Sequence, residues 1–229
     1  MKMKVKICGI TNVEDARLAL SLGAQELGFV LAPSPRRVEP DAVRAILEIL
    51  KGEGQLPSFR AIGVFVNEDA GGMRDIVGFA GLDAAQIHGD ELPSACAGFG
   101  FPWYRALRIA SVADAQRLAP AGWACPRILV DAASQGSYGG TGGTIGTWAA
   151  LAAGAIVRER GKEYFVAGGV RPRNVASFIH SLKPDGLDVS SGVEEAPGKK
   201  SRDKLEALFR EIHRAEEARS AEEAINAAR

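Results

Sequence analysis

Metal-binding and redox-active side chains are scarce in this 229-residue sequence, which has three cysteines and three histidines. The cysteines stand at positions 8, 96 and 125, so no two of them have C-x-x-C spacing, and no histidine lies in metal-ligand register with them. These spacings argue against both a zinc site and a disulfide framework. We therefore expect no bound metal and a reducing, cytoplasmic location.

Net charge and long apolar runs are also missing. Lys plus Arg and Asp plus Glu both number 28, so the formal net charge is zero and nothing indicates a nucleic-acid or membrane surface. No apolar run approaches membrane-spanning length, and the basic first residues lead into a strand pattern rather than a signal peptide. The length suits one domain, in which a charged substrate has to be held by local groups.

What is present is a repeated alternation of short apolar runs with helix-forming stretches. Apolar strands separated by helices imply parallel pairing, and eight such units predict a single (β/α)8 TIM barrel over residues 1–213. The alternative is a doubly wound open sheet, which normally has a GxGxxG motif after its first strand, and this chain has none there. Residues 214–229 predict a charged, alanine-rich C-terminal extension of the last helix. The predicted strands are one that ends at Cys8, then Glu26–Leu31, Ala61–Val66, Asp83–His88, Trp103–Leu107, Arg127–Asp131, Tyr164–Ala167 and Gly186–Ser190.

Side chains that can carry chemistry stand at the ends of three predicted strands. Cys8 ends the first strand, just before a capping box at Thr11–Glu14, while His88 ends the fourth and Asp131 the sixth. Catalytic side chains of such barrels come from the carboxyl ends of the strands. A lone cysteine is otherwise a small buried hydrophobe, and His88 is equally well interpreted as a structural, hydrogen-bonded residue.

Glycine-rich loops follow the predicted seventh and eighth strands. Gly168 and Gly169 let the backbone approach a ligand closely, and Ser190, Ser191 and Gly192 offer amide and hydroxyl groups. Barrels of this kind commonly bind a substrate phosphate between these two loops. Because glycine-rich loops follow both the seventh and the eighth predicted strands, we favour a phosphate ester as substrate. The simpler interpretation is that these glycines only form tight turns.

A thiol and a carboxyl on opposite sides of one substrate are suited to an isomerisation. Cys8 can act as a base if its pKa is brought from about 8.5 toward neutrality, and a shielded Asp131 can act as an acid. Arg36 has the planar fork that holds a carboxylate, although a solvated loop charge is an equal interpretation. The stretch Gly139–Thr144 lacks the end of a P-loop and instead favours a mobile lid over the mouth, with a merely flexible connection as the alternative.

Several short motifs recur in an order that carries a family resemblance. They are KICGIT (6–11), GFV (28–30), SPR (34–36), GVFVN (63–67), QIHG (86–89), LVD (129–131), YGGTG (138–142), AGG (167–169), DVSSGVE (188–194) and PGKK (197–200). Together they resemble the phosphoribosylanthranilate isomerase family of tryptophan biosynthesis, over about residues 3–210. Members often continue the YGGTG motif with KTFDW, whereas this chain has GTIGTW at 143–148.

The resemblance implies an Amadori rearrangement of N-(5-phosphoribosyl)anthranilate to 1-(2-carboxyphenylamino)-1-deoxyribulose 5-phosphate, without a cofactor. Cys8 matches the family's general base, Asp131 its general acid, and Arg36 the residue that holds the anthranilate carboxylate. The expected partner is a small phosphorylated molecule, with no nucleic acid and no membrane, and the protein is a monomer or a homodimer. We also expect Gln86, His88 and Asp188 to contact the substrate. The residues expected to bind its phosphate are Gly168, Gly169, Ser190, Ser191 and Gly192.

Three other functions are weighed against this one. The histidine-pathway isomerase performs the same rearrangement, but it usually uses two aspartates at strand ends, and Cys8 argues against it. A non-catalytic phosphosugar-binding barrel would not need both Cys8 and Asp131. A redox sensor based on Cys8 would be expected to have a resolving cysteine nearby in sequence, and there is none.

Overall fold

A closed barrel of eight parallel strands forms the centre of the molecule. The computed structural model describes residues 3–53, 58–92, 96, 98–116, 124–132 and 147–227. Its strands pair in sequence order, and β8 closes the ring by pairing with β1, with Lys6 opposite Asp188. The predicted (β/α)8 barrel is therefore confirmed. The strands are β1 Lys4–Cys8, β2 Glu26–Val30, β3 Arg60–Phe65, β4 Ala84–Ile87, β5 Trp103–Ile109, β6 Arg127–Ala132, β7 Glu163–Val166 and β8 Gly186–Val189.

In the described part of the chain, a helix follows every barrel strand except β4, and the helices cover the outside of the barrel. The alternation of strands and helices also predicts a short helix at about 91–98, between the fourth and fifth strands. Only residues 91, 92, 96 and 98 of that stretch are described, so this helix is not tested. No helix in the described part of the chain combines the length and apolar character needed to cross a bilayer. The helices are α1 Val13–Leu22, α2 Pro40–Gly52, α3 Ala70–Ala80, α4 Val112–Gln116, α5 Thr147–Glu159, α6 Val175–Leu182 and α7 Arg202–Ala227.

The cap of α1 differs from the predicted capping box. Asn12 is the N-cap, and its side-chain oxygen accepts a hydrogen bond from the backbone N–H of Asp15 at 2.8 Å. Thr11 is not the cap because its hydroxyl donates to the carbonyl oxygen of Gly198, in a later loop. The helix ends at Gly23, whose φ of 112° is left-handed, as expected for a C-terminal glycine.

The barrel interior and the layer between strands and helices are separate apolar clusters. Seven buried residues fill the interior, and a larger cluster lies between the strands and the surrounding helices. Because side chains alternate along a strand, polar residues two positions from these interior residues also face inward. The interior cluster consists of Ile62, Ala84, Tyr104, Ala106, Leu129, Phe165 and Ala167.

Charged side chains close the amino-terminal end of the barrel. Arg127, at the start of β6, donates to Glu26 at 2.7 and 2.9 Å and to Glu163 at 2.8 Å. Its guanidinium lies 3.7 Å from the ring centroid of Phe165. The pairing satisfies a buried arginine and a buried glutamate together at this end, so the candidate catalytic side chains, which lie at the carboxyl ends of the strands, are at the opposite end of the barrel.

One small sheet was not predicted from the sequence. After β8, a 3-10 turn at Ser191–Val193 leads into an antiparallel hairpin of β9 Glu194–Ala196 and β10 Lys199–Lys200. The hairpin attaches to α1 because the backbone N–H of Lys200 donates to Asp15 at 2.8 Å. Helix α7 then runs without a break past position 213, and the division at 213–214 stays a prediction.

Candidate active site

The predicted acid and base lie at the same end of the barrel. Cys8 is the last residue of β1, Asp131 lies one residue before the end of β6, and His88 directly follows β4. All three are buried, with exposed fractions of 8, 5 and 7%. Each lies two positions after an inward-facing residue of its strand, which directs the three side chains into one mouth.

A hydrogen-bonded polar layer lies beneath Cys8 and His88. Lys6, which is fully buried, donates from Nζ to Gln86 Oε1 at 2.8 Å and to Asp188 Oδ2 at 2.9 Å. The hydroxyl of Tyr104 also donates to Gln86 Oε1, at 2.8 Å. Four interior positions on different strands are therefore joined into one network, which fixes the Gln86 and Asp188 side chains that the sequence predicts to contact substrate.

The same network determines the histidine tautomer. Gln86 Oε1 accepts from Lys6 and Tyr104, so Gln86 Nε2 faces His88 Nδ1, 3.0 Å away, and must donate to it. A neutral His88 then carries its proton on Nε2. That nitrogen lies 3.2 Å from Asp131 Oδ2 but makes no hydrogen bond to it or to any other described residue. The arrangement places the histidine's remaining N–H near the predicted acid without pairing the two.

Asp188 has one carboxylate oxygen available for a ligand. Its Oδ2 pairs with Lys6, whereas its buried Oδ1 has no hydrogen-bond partner among the described residues. An unsatisfied buried oxygen costs free energy, about 1–3 kcal/mol, unless a ligand or water supplies a donor. The orphaned oxygen therefore marks a place where a substrate hydroxyl fits.

The thiol of Cys8 and the ammonium of Lys6 meet above Gly28. A Cβ added to Gly28 would lie 2.8 Å from Cys8 Sγ and 2.9 Å from Lys6 Nζ, so only glycine leaves room for both groups. Burial raises the pKa of Cys8 above its ordinary value, and the charges of Lys6 and Lys200 act against that rise. The net shift of the Cys8 pKa is upward, opposite to the shift toward neutrality considered from the sequence, although two cations favour the thiolate.

Arg36 is held by a glutamate that the sequence analysis did not select. Its Nε and Nη2 donate to Glu194 Oε1 and Oε2 at 2.8 and 2.6 Å, which makes a bidentate pair. Burial alone would raise the pKa of Glu194, but bonds from Arg36 and Lys200 hold that pKa below its ordinary value. Arg36 also lies next to the base: a Cβ on Gly9 would lie 2.7 Å from Arg36 Cδ and 3.2 Å from Ser190 Oγ.

Lys200 links this pair to the strand that carries the thiol. Its Nζ donates to Glu194 Oε1 at 2.8 Å and to the carbonyl oxygen of Cys8 at 2.6 Å. The side chain is fully buried, and this burial lowers the pKa of Lys200. The sequence analysis did not select Lys6, Glu194 or Lys200. Each lies inside one of the family motifs, and that membership is the only feature of the sequence that could have indicated them.

The two glycine-rich loops touch through their backbones. Gly168 and Gly169 have φ values of 86° and 72°, which are left-handed. A Cβ on Gly192 would lie 1.8 Å from the carbonyl oxygen of Val170, so glycine is required for the loops after β7 and β8 to pack this closely. The predicted phosphate residues are thus adjacent, on the same rim as Cys8 and Arg36.

Two further predictions concern the metal and the lid. Within the described ranges, no three His, Cys, Asp or Glu side chains are grouped as a metal ion would require. The predicted lid at Gly139–Thr144 lies outside the described residues, as does most of the departure at 143–148. Only the end of that departure is described, where the Trp148 side chain is 79% exposed.

Comparison with known proteins identifies relatives across the barrel. Residues 5–211 match the family model described as N-(5'-phosphoribosyl)anthranilate (PRA) isomerase. A curated N-(5'-phosphoribosyl)anthranilate isomerase from Magnetococcus marinus is 39% identical over 219 residues, covering 95% of this chain and 98% of that protein. The crystal structure of phosphoribosyl anthranilate isomerase from Thermus thermophilus is 37% identical, with a TM-score of 0.77, covering 92% of this chain and 98% of the other.

A further solved relative carries a ligand. It is a phosphoribosyl anthranilate isomerase in complex with reduced 1-(o-carboxyphenylamino)-1-deoxyribulose 5-phosphate, 32% identical, with a TM-score of 0.76 and the same coverage of 92% and 98%. The matched region extends from β1 into α7 and includes every strand that lines the mouth. The chain therefore belongs to the N-(5'-phosphoribosyl)anthranilate isomerase family of enzymes.

Proposed function

We propose that this protein converts N-(5-phosphoribosyl)anthranilate to 1-(2-carboxyphenylamino)-1-deoxyribulose 5-phosphate, with Cys8 as general base and Asp131 as general acid. The observation that carries the proposal is the placement of both groups at one barrel mouth, the thiol beside Lys6 and the carboxyl beside His88. An acid and a base on different strands can act on two atoms of one bound sugar.

Asp131 starts the reaction by protonating the ribose ring oxygen. The C1–O bond breaks, the ring opens, and the anthranilate nitrogen supplies the electron pair that forms an iminium at C1. His88 Nε2 lies 3.2 Å from Asp131 Oδ2 and Nδ1 is occupied by Gln86, so a small rotation during the reaction would let the Nε2–H donate to that oxygen. The other oxygen, Oδ1, then carries the transferred proton.

Cys8 completes the rearrangement as a thiolate that removes the proton from C2. The electron pair of the C–H bond reduces the iminium, and the resulting enolamine becomes the ketone when C1 gains a proton. Carbon 1 is reduced and carbon 2 is oxidised within one molecule, so the reaction needs no external electron acceptor. The cations Lys6 and Lys200 favour the thiolate against the effect of burial on the pKa of Cys8.

The remaining site residues hold the substrate. Arg36 binds the anthranilate carboxylate, and the backbones of the two glycine-rich loops bind the phosphate, where left-handed glycines bring amide groups close to a ligand. Asp188 Oδ1 accepts a hydrogen bond from a sugar hydroxyl, which satisfies the oxygen that has no partner among the described residues. Gln86 and His88 complete the wall of the pocket.

The cellular setting follows from the same proposal. A small phosphorylated substrate and free cysteines at 8, 96 and 125 fit the cytoplasm, and the expected oligomeric state is a monomer or a homodimer. Fractionation of cells checks the location, and light scattering of the purified protein checks the oligomeric state.

A direct assay tests the proposed function. Freshly formed phosphoribosylanthranilate loses its anthranilate-type fluorescence as it is converted, so mixing it with purified protein should give a catalytic decay. Reduced product should inhibit this decay competitively. A decay no faster than the spontaneous breakdown of the substrate, at any protein concentration, would contradict the proposal.

A further inference from the structure

A buried charge cluster links the strand end that carries the proposed base to Arg36, the residue predicted to bind the carboxylate, and the proposed mechanism does not use all of it. It consists of Arg36, Glu194 and Lys200, whose side chains are 11, 5 and 0% exposed. Arg36 comes from the loop after β2, and the other two come from the β9–β10 hairpin. The pairing thus joins segments that are 158 residues apart in the sequence.

Glu194 contacts one edge of the Arg36 guanidinium. The Nε atom lies 2.8 and 3.1 Å from the two carboxylate oxygens, and Nη2 lies 2.6 Å from Oε2. A guanidinium is planar and has two edges that can each bind a carboxylate in a bidentate manner. Glu194 takes the Nε edge, and Nη1 on the other edge has no partner among the described residues.

The charges of the cluster explain why a glutamate can hold this arginine without neutralising the site. Lys200 donates to the same carboxylate at 2.8 Å, so Arg36, Glu194 and Lys200 together carry one net positive charge. A cluster of net charge +1 still attracts an anion. Replacing Glu194 with a neutral residue would leave two buried cations without their shared counter-ion.

We infer that Glu194 is a positioning residue for substrate specificity: it fixes Arg36 by the Nε edge so that the Nη1 edge faces the carboxylate of the anthranilate ring. The inference rests on the proposed function, because it assumes that the ligand of Arg36 is that carboxylate. An arginine held in advance loses less side-chain entropy when the ligand binds. Glu194 therefore strengthens the binding of ligands that have the carboxylate and has little effect on those that lack it.

The test compares two ligands that differ only in that carboxylate. One is the reduced product with an o-carboxyphenylamino group, and the other is its analogue with a phenylamino group. In the Glu194→Gln variant, we expect the dissociation constant of the first ligand to rise about tenfold and that of the second to stay within about twofold. Calorimetry on the full chain measures both, and circular dichroism shows whether the variant is folded.

A double-mutant cycle with Arg36→Met gives the matched control. If Glu194 acts through Arg36, the Glu194→Gln change should add no further loss for the carboxylated ligand once Arg36 is replaced. The Glu194→Asp variant keeps the negative charge of the cluster but shortens the side chain by one methylene, which weakens the bidentate contact with Arg36, so it should show the same selective loss. It also replaces Glu194→Gln if that variant does not fold.

Three outcomes would overturn the inference. Equal losses for both ligands would show a general structural role, and unchanged affinity for both would show that Arg36 does not need Glu194. Additive losses in the Arg36→Met background would show that Glu194 acts elsewhere. Failure of the unmodified protein to bind either ligand is a different result, because it would contradict the proposed function itself.

Discussion

Lys200 Nζ lies 2.6 Å from the carbonyl oxygen of Cys8, so a buried ammonium from the β9–β10 hairpin is fixed to the strand end that carries the proposed base. Lys6 approaches the thiol from below, Asp188 adds a negative charge beneath, and Arg36 lies alongside at the mouth. The ionisation of Cys8 therefore depends on groups from several parts of the chain.

Removing the charge of Lys200 should make the thiolate harder to form. Burial already raises the pKa of Cys8, and Lys200 acts against that rise, so Lys200→Met should raise this pKa further. We expect the acid limb of the kcat/KM profile to move to higher pH, with the largest loss of activity on the acid side. The pH dependence of Cys8 alkylation should move in the same direction.

Lys199→Met is the matched control for that change. Lys199 lies on the same hairpin, but its side chain is 69% exposed and pairs with Glu195. Its removal should leave the pH profile unchanged. An acid limb that stays in place for Lys200→Met, or moves equally for both variants, would contradict the electrostatic role of Lys200.

Asp131→Asn should abolish turnover while the protein still folds and binds reduced product. The amide keeps the size of the side chain but has no proton to give to the ring oxygen, and general acid catalysis is worth about 10²–10⁴-fold in rate. Turnover is measured by loss of anthranilate fluorescence, and folding by thermal melting. A rate within about threefold of the unmodified protein would remove Asp131 from the acid role.

Gly28→Ala should reduce both activity and stability. The new methyl group would overlap Cys8 Sγ and Lys6 Nζ, and displacing a reacting group by about 1 Å can cost about 10²-fold in rate. The overlap itself should cost about 1–3 kcal/mol of unfolding free energy. Gly52→Ala is the control, because nothing lies within 4 Å of its added Cβ. Normal kcat in Gly28→Ala would show that this space is not needed.

Gly192→Ala should weaken phosphate binding. Its methyl group would overlap the carbonyl oxygen of Val170, so the loops after β7 and β8 must move apart. We expect inorganic phosphate to become a weaker competitive inhibitor and KM to rise. Gly78→Ala, in α3, has open space around its added Cβ and serves as the control. An unchanged inhibition constant for phosphate would place the phosphate elsewhere.

Arg127→Met should destabilise the barrel without changing its chemistry. The substitution leaves Glu26 buried without its closest cation, and breaking such a pair costs about 3–5 kcal/mol of unfolding free energy. Because Arg127 lies at the amino-terminal end, kcat below the melting temperature should be kept. Arg44→Met removes an exposed ion pair with Glu48 and should cost less than about 1 kcal/mol. Equal losses in chemical denaturation would contradict this account.

The sequence predicts the barrel well because its strands are short apolar runs separated by helices. It predicts less well which face of a strand looks inward. Val5 and Ile7 alternate with Lys4 and Lys6, a pattern typical of a strand with one solvated face, yet Lys6 is fully buried inside the barrel. Both faces of a barrel strand are covered, one by the interior and the other by helices, so alternation alone does not distinguish them.

Ion pairs between residues far apart in the chain could not be predicted from the sequence either. Arg36 was selected for its planar fork, but its partner Glu194 comes from a hairpin whose strands have only three and two residues. Such short strands have too few positions for a periodic signal. The prediction that Thr11 caps α1 was wrong for a related reason. Its hydroxyl donates to the carbonyl oxygen of Gly198, a contact with that same hairpin that the local sequence does not indicate.

Whether Cys8 removes the proton from C2 is decided by the turnover of the Cys8→Ala variant, measured beside a Cys96→Ala control. Cys96 is also free and buried, but it packs in the larger apolar cluster between the strands and the helices. We expect Cys8→Ala to bind reduced product with near-normal affinity and to lose turnover by at least about 10³-fold, while Cys96→Ala remains active. Turnover by Cys8→Ala at a rate close to that of the unmodified protein would contradict the account.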